Sequence, residues 1–407
     1  MYIFKAGVVG AGTMGGEIAQ VISYSGLPVV MKDIDQKMLD VGMQKVRSIY
    51  QRRVDKGKMS AGEMQSKLDL ITPTLTYEGF EDVDIVVEAV PEVMGVKRRV
   101  FQELEGVCPE AAIFASNTSA LSISEMGAAT QKPHKIIGMH FFNPAHVMKL
   151  VEIIPGLDTS QETVDDVVMF TEGLRKLPVV VQECPGFLVN RLLMPYLNEA
   201  TMCLEEGAAA ARDIDATMVR WGWPMGPFTL MDMLGLDVCA HVGDYLAEEY
   251  GGRMETAWLT PRLVKLGRLG EKSGAGFYGY GDQSEEPTLK LIGEIKGEKG
   301  VPDSKFSPER LVYPMINEAA LCVQENVASV NDIDMAMIAG AGMTYCGERI
   351  GPLAAADLMG LDIVLEGLQA LEAQYGPRFH PSRLLKLKVR AGHLGKKAGK
   401  GFHEYTE

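Results

Sequence analysis

Short apolar runs, separated by polar or glycine-rich segments, recur through the first 183 residues of this 407-residue chain. Runs of this length, rich in β-branched residues, predict buried strands. They lie at 6–9, 28–31, 83–88, 111–115, 138–142, 147–151 and 178–181. Helical spacing covers 17–22 and 35–56, and a capping box of Thr159 and Glu162 predicts a helix to about Leu174. This alternation predicts an α/β domain of the Rossmann type at residues 1–183.

Two of these strands, at 138–142 and 147–151, are joined by an Asn-Pro turn and predict a hairpin. The hairpin would fold His140 back against Glu152. A carboxylate bonded to one imidazole nitrogen fixes the tautomer and raises the basicity of the other, which suits proton transfer near neutral pH. A histidine beside an apolar strand is also common as a hydrogen-bonded core residue, so both interpretations stay open here.

A glycine-rich turn of the form G-x-G-x-x-G follows the first strand directly. Its residues are Gly10, Gly12, Thr13, Met14 and Gly15. The glycines permit a tight turn, close approach to a pyrophosphate and packing of the helix on the strand. Asp33, at the end of the second strand, would accept from ribose hydroxyls and repel a 2′-phosphate. The pattern predicts NAD as the cofactor rather than NADP.

Polar residues also follow the strands at 83–88 and 111–115. They are Glu92, Lys97 and the run 116–119. Ligands of open α/β sheets bind beyond the carboxyl ends of the strands, so these residues lie on the correct side for a cofactor. Surface charges and a helix N-cap before Ile123 are the alternatives.

The charge balance limits the partners of the protein. Forty basic against 54 acidic residues give a net charge of −14 at pH 7. An acidic surface argues against nucleic acid as the main partner, and an anionic ligand would need a local basic patch. The densest basic stretch is 47–58, where a solvated helix face is the plain alternative.

The six cysteines show neither C-x-x-C spacing nor a histidine cluster, which indicates free thiols rather than disulfides or zinc. No apolar run reaches the length of a membrane span, and residues 1–5 show no signal-peptide pattern. We therefore expect a cytoplasmic or otherwise reducing location.

The second half of the chain is helical and contains a repeat. Residues 191–200 match 310–319, an offset of 119 positions that also carries 213–215 onto 332–334. From residue 226 the offset is 125, and it carries 226–227 onto 351–352, 235–237 onto 360–362 and 272–277 onto 397–402. A repeat this long predicts two homologous all-α domains in tandem. We place the first copy at 184–281 and the second at 304–407, with 282–304 as a polar linker.

The two copies differ at one chemically important position. Asn190 follows a Pro-Gly turn at 185–186 in the first copy, whereas Glu309 takes its place in the second, which lacks this turn. If Asn190 has a chemical role, only the first copy is active. One active site is then expected, in a cleft between the first domain and the first copy.

Several motifs together resemble the L-3-hydroxyacyl-CoA dehydrogenases. They are the glycine-rich turn at 10–15 and the runs 116–119, 138–144, 151–152, 185–191 and 222–227. The resemblance covers essentially the whole chain. The doubled helical domain is similar to the dehydrogenase portion of multifunctional β-oxidation proteins, without their enoyl-CoA hydratase domain.

The resemblance implies NAD-dependent interconversion of 3-hydroxyacyl-CoA and 3-oxoacyl-CoA, in fatty-acid β-oxidation or in butyrate-type metabolism. It makes His140 the general base, oriented by Glu152. Ser119 would lie beside the substrate oxygen, and Asn190 would complete that polar site. Asn143 would support the loop or the thioester side. The implied cofactor contacts are Gly10, Gly12, Thr13, Met14, Gly15, Asp33, Glu92, Lys97, Ser119 and Asn143.

The resemblance also bears on the partners. Coenzyme A would supply the anion for the basic helix, through Arg52, Arg53, Lys56 and Lys58, with the solvated face still the alternative. Single-copy members pair through their helical domain, and the second copy could take the partner's place. We expect a monomer, or a dimer through another surface. Association with an enoyl-CoA hydratase and a thiolase stays open.

Two other functions remain to be weighed. One is an inactive NAD-binding relative with a structural or sensing role, although His140, Glu152, Ser119 and Asn190 are all present. The other is a different β-hydroxyacid dehydrogenase acting on a small free acid. Those enzymes characteristically use a catalytic lysine, whereas this chain offers a histidine and a glutamate.

Overall fold

The structure is a computed structural model that describes residues 2–299 and 305–405. The chain divides into two compact units, Met1–Phe187 and Leu188–Glu407. Both predicted helical copies fall within the second unit. The three-domain boundaries therefore stay a prediction.

A single sheet forms the centre of the first unit. Its strands are β1 (Ala6–Val9), β2 (Val29–Lys32), β3 (Ile71–Thr74), β4 (Ile85–Glu88), β5 (Ile113–Ser116), β6 (Ile136–Phe141), β7 (Leu150–Pro155) and β8 (Leu177–Val180). The order is β3-β2-β1-β4-β5-β6-β7-β8, and neighbours are parallel except β6 and β7, which are antiparallel. The predicted fold class, a Rossmann-type domain followed by helical domains, is confirmed.

Helices connect these strands. They are α1 (Thr13–Ser25), α2 (Gln36–Asp55), α3 (Ala61–Leu68), α4 (Met94–Glu105), α5 (Ile123–Gly127) and α6 (Gln161–Gly173). The strands β1, β2, β4 and β5 are buried along their whole length, as expected for a sheet covered by helices. Helices α1 and α2 pack closely at Gly16 and Gly42. A Cβ added to either glycine would lie 3.1 Å or less from the backbone of a neighbouring segment.

Two local predictions need correction. Ser160, not Thr159, caps α6 by accepting from the Thr163 amide, while the Thr159 hydroxyl donates to the Ile136 carbonyl. The cap before Ile123 is Ser122 and not a residue of the run 116–119. That run is consequently available for other contacts.

The second unit consists of helices in two matching sets. The first set is α7 (Val189–Glu205), α8 (Ala211–Trp221), α9 (Pro227–Leu234), α10 (Leu236–Tyr250) and α11 (Leu259–Lys265). After α12 (Glu286–Lys299), the second set is α13 (Pro308–Gln324), α14 (Val330–Ala341), α15 (Pro352–Met359), α16 (Leu361–Tyr375) and α17 (Arg383–Arg390). Each set has the same order and nearly the same helix lengths.

Most of the predicted linker is helical. Helix α12 packs on α7 and α11, and its Ile295 is fully buried. Its Lys299 ammonium lies 2.5 Å from a carboxylate oxygen of the buried Glu205. The predicted linker between the copies is therefore largely a docked helix, Glu286–Lys299, which the polar composition of the segment did not indicate. Residues 300–304 lie outside the described part.

The two copies repeat their internal hydrogen bonds. Asp232 accepts from the amides of Phe277 and Tyr278, and Asp357 accepts from those of Phe402 and His403. A Cβ on Gly276 or Gly401 would lie 1.9 Å from the corresponding carboxylate oxygen, so only glycine fits. The repeated sequence motif thus encodes one aspartate-centred loop in each copy.

Buried ion pairs join the copies reciprocally across α7 and α13. Arg191 pairs with Glu318 and Glu325, while its counterpart Arg310 pairs with Glu199 and Glu206. Both arginines are 1% exposed or less. Arg253 and Arg378 are a second pair of counterparts. Arg253 pairs with Glu318 and Glu325, and Arg378 pairs with Glu199. Because the contacts of Arg191 recur at the equivalent positions for Arg310, the interface has pseudo-twofold symmetry.

We expect Arg310→Met to destabilise the second unit by roughly 3 kcal/mol or more, because Glu199 and Glu206 each lose a buried ion-pair contact. Tryptophan fluorescence in urea measures this selectively, since Trp221, Trp223 and Trp258 all belong to that unit. Arg262→Met is the control, because its partner Glu298 is exposed, and it should leave the midpoint nearly unchanged. Equal midpoints for both variants would contradict the buried-pair interpretation.

The second copy also contains a pH-sensitive contact. His403 in the second copy stands at the position of Tyr278 in the first. Nε2 of His403 lies 2.7 Å from Asp334, and the Tyr278 hydroxyl donates to the equivalent carboxylate, Asp215. The hydrogen bond to Asp334 raises the pKa of His403 despite burial, with Asp357 adding to the rise and Lys388 opposing it. A histidine whose pKa is raised in the folded state stabilises that state fully at a pH below its ordinary pKa, near 6.5. This stabilisation is lost as the pH rises through the folded-state pKa.

We therefore expect the wild type to lose stability relative to His403→Tyr between about pH 6 and about pH 9. Tyrosine restores the hydrogen bond of the first copy without titrating in that range. Urea midpoints at both pH values measure the difference. Parallel pH dependence in the two proteins would show that His403 makes no pH-dependent contribution.

Candidate active site

The predicted pairing of His140 with Glu152 is present. The antiparallel register places these residues directly opposite each other on β6 and β7. Glu152 is fully buried, and its Oε2 lies 2.7 Å from Nδ1 of His140. Residues directly opposite in such a pair share one face of the sheet, so the contact follows from the register. Nδ1 is engaged by Glu152, which leaves Nε2 as the atom for proton transfer.

Neighbouring groups hold this pair in place. The His140 ring packs against Phe142 and Phe187, with ring centroids 4.4 and 5.9 Å apart. The end of β6 is fixed by Asn117, whose side-chain oxygen accepts from the Phe141 amide at 2.8 Å. The sequence placed Asn117 in a polar cluster but gave it no role. This contact joins the loop after β5 to the strand that carries His140.

Glu92 organises the serine predicted to contact the substrate. One of its oxygens accepts from the Thr118 hydroxyl at 2.6 Å, from the Ser119 amide at 2.9 Å and from the Ser119 hydroxyl at 3.2 Å. Burial disfavours ionisation of Glu92, but Lys97 and these hydrogen bonds outweigh it and lower its pKa. Glu92 is therefore a carboxylate at neutral pH.

A buried ion pair between Lys97 and Glu88 adjoins this network. Lys97 is 1% exposed, and its ammonium lies 2.8 Å from Glu88 and 3.2 Å from Glu92. Glu88 also accepts from the Ser116 hydroxyl and the Val90 amide. Lys97 thus holds both carboxylates, and its direct contact with the cofactor stays a prediction. The sequence analysis did not single out Glu88 as a site residue, although an acidic residue at the end of an apolar strand indicates a functional position.

The glycine-rich turn fits a dinucleotide. A Cβ on Gly15 would lie 1.7 Å from the Gly10 carbonyl oxygen, so the turn requires glycine there. A Cβ on Gly12 would meet nothing nearer than 3.8 Å, which leaves open space in front of the helix. Helix α1 has no side-chain cap and no acidic residue in its first turn. Its amide groups are therefore free of a competing side-chain anion and suit a pyrophosphate.

Asp33 lies where a ribose-binding carboxylate is expected. Its Oδ2 accepts from the Ala11 amide at 2.7 Å, and its Oδ1 accepts from the Ile34 amide at 2.7 Å. These contacts fix the carboxylate at the end of β2, beside the glycine-rich turn. A fixed negative charge at this point favours ribose hydroxyls over a 2′-phosphate.

The remaining predicted residues belong to other elements. Asn143 is exposed on the loop after β6, and Asn190 lies in the first turn of α7, in the second unit. Arg52, Lys56 and Lys58 are exposed at the end of α2. Arg53 instead donates to the Tyr24 hydroxyl and stacks over the Tyr24 ring. The functional roles of all these residues stay predictions.

Residues 2–299 and 305–405 contain neither a candidate metal site nor a candidate membrane-spanning helix. No group of three or more histidine, cysteine, aspartate or glutamate side chains is arranged to hold a metal ion. No helix in this part of the chain has both the length and the apolar character needed to cross a bilayer.

A glycine-rich turn suited to a dinucleotide, an aspartate at the position expected for ribose binding and a histidine–glutamate pair at one sheet edge indicate an NAD-dependent dehydrogenase. Comparison with known proteins gives the family. Residues 5–184 match the NAD-binding domain of 3-hydroxyacyl-CoA dehydrogenases, and residues 186–280 and 306–405 each match their C-terminal domain. The chain belongs to the 3-hydroxyacyl-CoA dehydrogenase family.

Individual relatives agree with this assignment. The fatty acid oxidation complex subunit alpha of Psychrobacter arcticus is 41% identical over 372 residues, which cover 88% of this chain and 51% of the relative. That of Idiomarina loihiensis is 42% identical with the same coverage. The chain spans about half the length of these curated relatives.

Solved structures are similar as well. The 3-hydroxybutyryl-CoA dehydrogenase of Escherichia coli K12 superimposes with a TM-score of 0.86 at 29% identity, covering 96% of this chain and 99% of that one. The (S)-3-hydroxybutyryl-CoA dehydrogenase of Ralstonia eutropha has a TM-score of 0.67 at 40% identity, covering 69% of this chain and all of that one.

We expect Asp33→Asn to reduce the preference for NADH over NADPH by about tenfold or more, because the charge that repels a 2′-phosphate is removed. Dissociation constants from quenching of protein fluorescence measure this preference. Asp35→Asn is the control, since Asp35 is a nearby carboxylate that caps α2. An unchanged NADH to NADPH ratio in Asp33→Asn would exclude Asp33 from cofactor discrimination.

Proposed function

We propose that this protein catalyses NAD-dependent interconversion of (S)-3-hydroxyacyl-CoA and 3-oxoacyl-CoA. The observation that carries the proposal is the buried His140–Glu152 pair, 2.7 Å apart, at the sheet edge where the dinucleotide turn also lies. A base oriented by a carboxylate is what oxidation of a secondary alcohol requires. The family assignment supports a 3-hydroxyacyl thioester as the alcohol.

In the oxidative direction, Nε2 of His140 takes the proton of the 3-hydroxyl group. Bound NAD supplies the hydride acceptor. Glu152 stabilises the imidazolium that forms, because its negative charge lies against Nδ1 in a buried setting. In the reductive direction the imidazolium returns the proton to the oxygen at C3.

Ser119 is proposed to contact the same oxygen of the substrate. Its amide and hydroxyl both donate to Glu92, which fixes the residue beyond the end of β5. Glu92 also holds Thr118, so the loop has one geometry rather than several. We assign Asn190 to the same polar site, on the strength of its motif match alone.

The substrate class rests on the relatives. Two similar structures are named 3-hydroxybutyryl-CoA dehydrogenases, and the curated relatives are subunits of fatty acid oxidation complexes. Exposed Arg52, Lys56 and Lys58 supply positive charge for the phosphates of coenzyme A. We propose that these three residues, more than Arg53, make such contacts, because Arg53 is engaged by Tyr24.

We further propose a monomer in a reducing, cytoplasmic setting, which works in sequence with an enoyl-CoA hydratase and a thiolase. The reciprocal α7–α13 interface supports the monomer, since the surface through which single-copy members pair is satisfied within one chain. The six cysteines, all within the part of the chain that the structure describes, form no disulfide there, as a reducing compartment allows. Light scattering decides the oligomeric state, and a dimer that covers this interface would contradict the proposal.

We expect His140→Gln to lower kcat by roughly 10²–10⁴-fold while NADH binding is nearly unchanged, because only the proton-transfer group is lost. Glu152→Gln should also lower kcat, since a neutral amide does not stabilise an imidazolium. The assay follows NADH absorbance with acetoacetyl-CoA. His134→Gln, an exposed histidine of the same unit, is the control and should keep wild-type turnover.

Three results would contradict this proposal. Wild-type turnover in His140→Gln would remove the pair from the mechanism. Turnover of small free 3-hydroxy acids but not of thioesters would favour another class of β-hydroxyacid dehydrogenase, and no turnover of either would favour a binding protein.

A further inference from the structure

Helix α1 contains a buried carboxylate that the mechanism above does not use. Glu17 is fully buried only two residues after Gly15, the last glycine of the dinucleotide turn. Its Oε2 accepts from the Ala145 amide at 2.5 Å and lies 3.3 Å from Nδ1 of His146. Its Oε1 lies 3.0 Å from the ammonium of Lys45 on α2. A charge buried this fully must be paired, and here most of its partners lie outside its own helix.

These contacts reach the loop that follows the catalytic strand. Residues 142–149 join β6, which carries His140, to β7, which carries Glu152. Ala145 lies in the middle of this loop, two residues after Asn143, and is buried. Within the loop, Val147 and Met148 donate to the Pro144 carbonyl and form a compact turn. Glu17 therefore connects the helix of the cofactor site to the loop between the two catalytic strands.

A lysine binds the backbone of the same residue through its carbonyl group. The Lys176 ammonium donates to the carbonyl of Ala145 and, at 2.7 Å, to that of Met148. Lys176 directly precedes β8, whose Leu177 amide donates to the Lys149 carbonyl. Ala145 thus has its amide on a buried carboxylate and its carbonyl on an ammonium group.

We propose that Glu17 and Lys176 are positioning residues for catalysis. Together they clamp the backbone of Ala145, Glu17 at its amide and Lys176 at its carbonyl, and so fix the loop 142–149 against the cofactor helix. The proposal rests on the proposed dehydrogenase function for its kinetic consequences. Neither side chain need touch substrate or cofactor. Both act through the loop backbone, and a small displacement of a catalytic group is costly.

The clamp should depend on pH through Lys176. Burial, together with the positive charge of Lys149, lowers the pKa of Lys176 to about 8, while the negative charge of Glu17 opposes the change. Lys45 and His146 also face Glu17 and complete the charged groups around the loop. As the pH rises through about 8, Lys176 loses its charge, and its hold on the two carbonyls weakens.

We expect Glu17→Ala to lower kcat by between about 10- and 100-fold with little change in NADH affinity, because the loop and not the nucleotide site is released. Glu17→Gln keeps an acceptor for the Ala145 amide and should recover most of the loss. Glu105→Ala is the matched control, since Glu105 also accepts from a loop amide, that of Gln131, on an exposed surface. It should keep wild-type kinetics.

The pH profile of kcat in the oxidative direction separates positioning from general stability. In that direction neutral His140 is the active form, so a fall at alkaline pH reports another group. The wild type should lose activity as the pH rises through about 8. Lys176→Arg should stay active there because arginine remains charged, and Lys149→Gln should move the fall to higher pH. Wild-type profiles in both variants would overturn the proposal.

Hydrogen exchange of residues 142–149, followed by mass spectrometry, tests the clamp without turnover. Exchange should be faster in Glu17→Ala than in the wild type and in Glu105→Ala. If Glu17→Ala exchanges faster but the wild type turns over no thioester, the clamp is retained and the proposed function is refuted. An active wild type with equal exchange and equal kcat in all variants would refute the clamp. If Glu17→Ala does not fold, Glu17→Gln and Lys176→Arg still give the pH and exchange results.

Discussion

The antiparallel pairing of β6 and β7 is the constraint on which the catalytic edge depends. Strands β1 to β6 run parallel, so their carboxyl ends meet at one edge, whereas β7 and β8 run the opposite way and begin at that edge. His140 comes near the end of β6, and Glu152 comes near the start of β7. Only a reversed strand brings a residue from its start to the edge where the others end. A register slip of one residue would turn Glu152 to the other face of the sheet.

The helical unit meets a different constraint, because two copies of one fold must share a single interface. Arg191 and Arg310 are buried counterparts that each reach glutamates of the other copy. Such pairs carry a high desolvation cost and are weak evidence for stability as such. They do make wrong pairings unfavourable, since an arginine out of register would leave several buried charges without partners. The duplication can thus keep a symmetric interface while Asn190 and Glu309 diverge.

Local patterns in the sequence were sufficient for the sheet, the dinucleotide turn and the His140–Glu152 pair. These features depend on strand periodicity, glycine spacing and one short connection, all of which are readable within about twenty residues. The edge strand β3 escaped prediction because Pro73 and its exposed neighbours hide the alternation. Helix α12 escaped because only Thr288 and Ile295 are buried among charged residues.

Contacts between distant segments could not be predicted in the same way. Glu17 and Ala145 are 128 residues apart, and nothing near either residue indicates the other. Lys97 was placed on the correct side of the sheet, but its burial between Glu88 and Glu92 depends on how α4 packs. The cap of α6 was missed by one position because Thr159 and Ser160 are adjacent hydroxyl residues with similar capping ability.

Carboxylates recur beyond the strand ends for a common physical reason. Where a strand ends, its backbone amides lose their partners in the sheet and must find other acceptors. Glu88 accepts from Val90, Glu92 from Ser119 and Glu17 from Ala145. A charged acceptor binds an amide more strongly than a neutral one does, but its burial is costly. Its advantage is therefore a defined loop geometry, which hydride and proton transfer require more than they require additional stability.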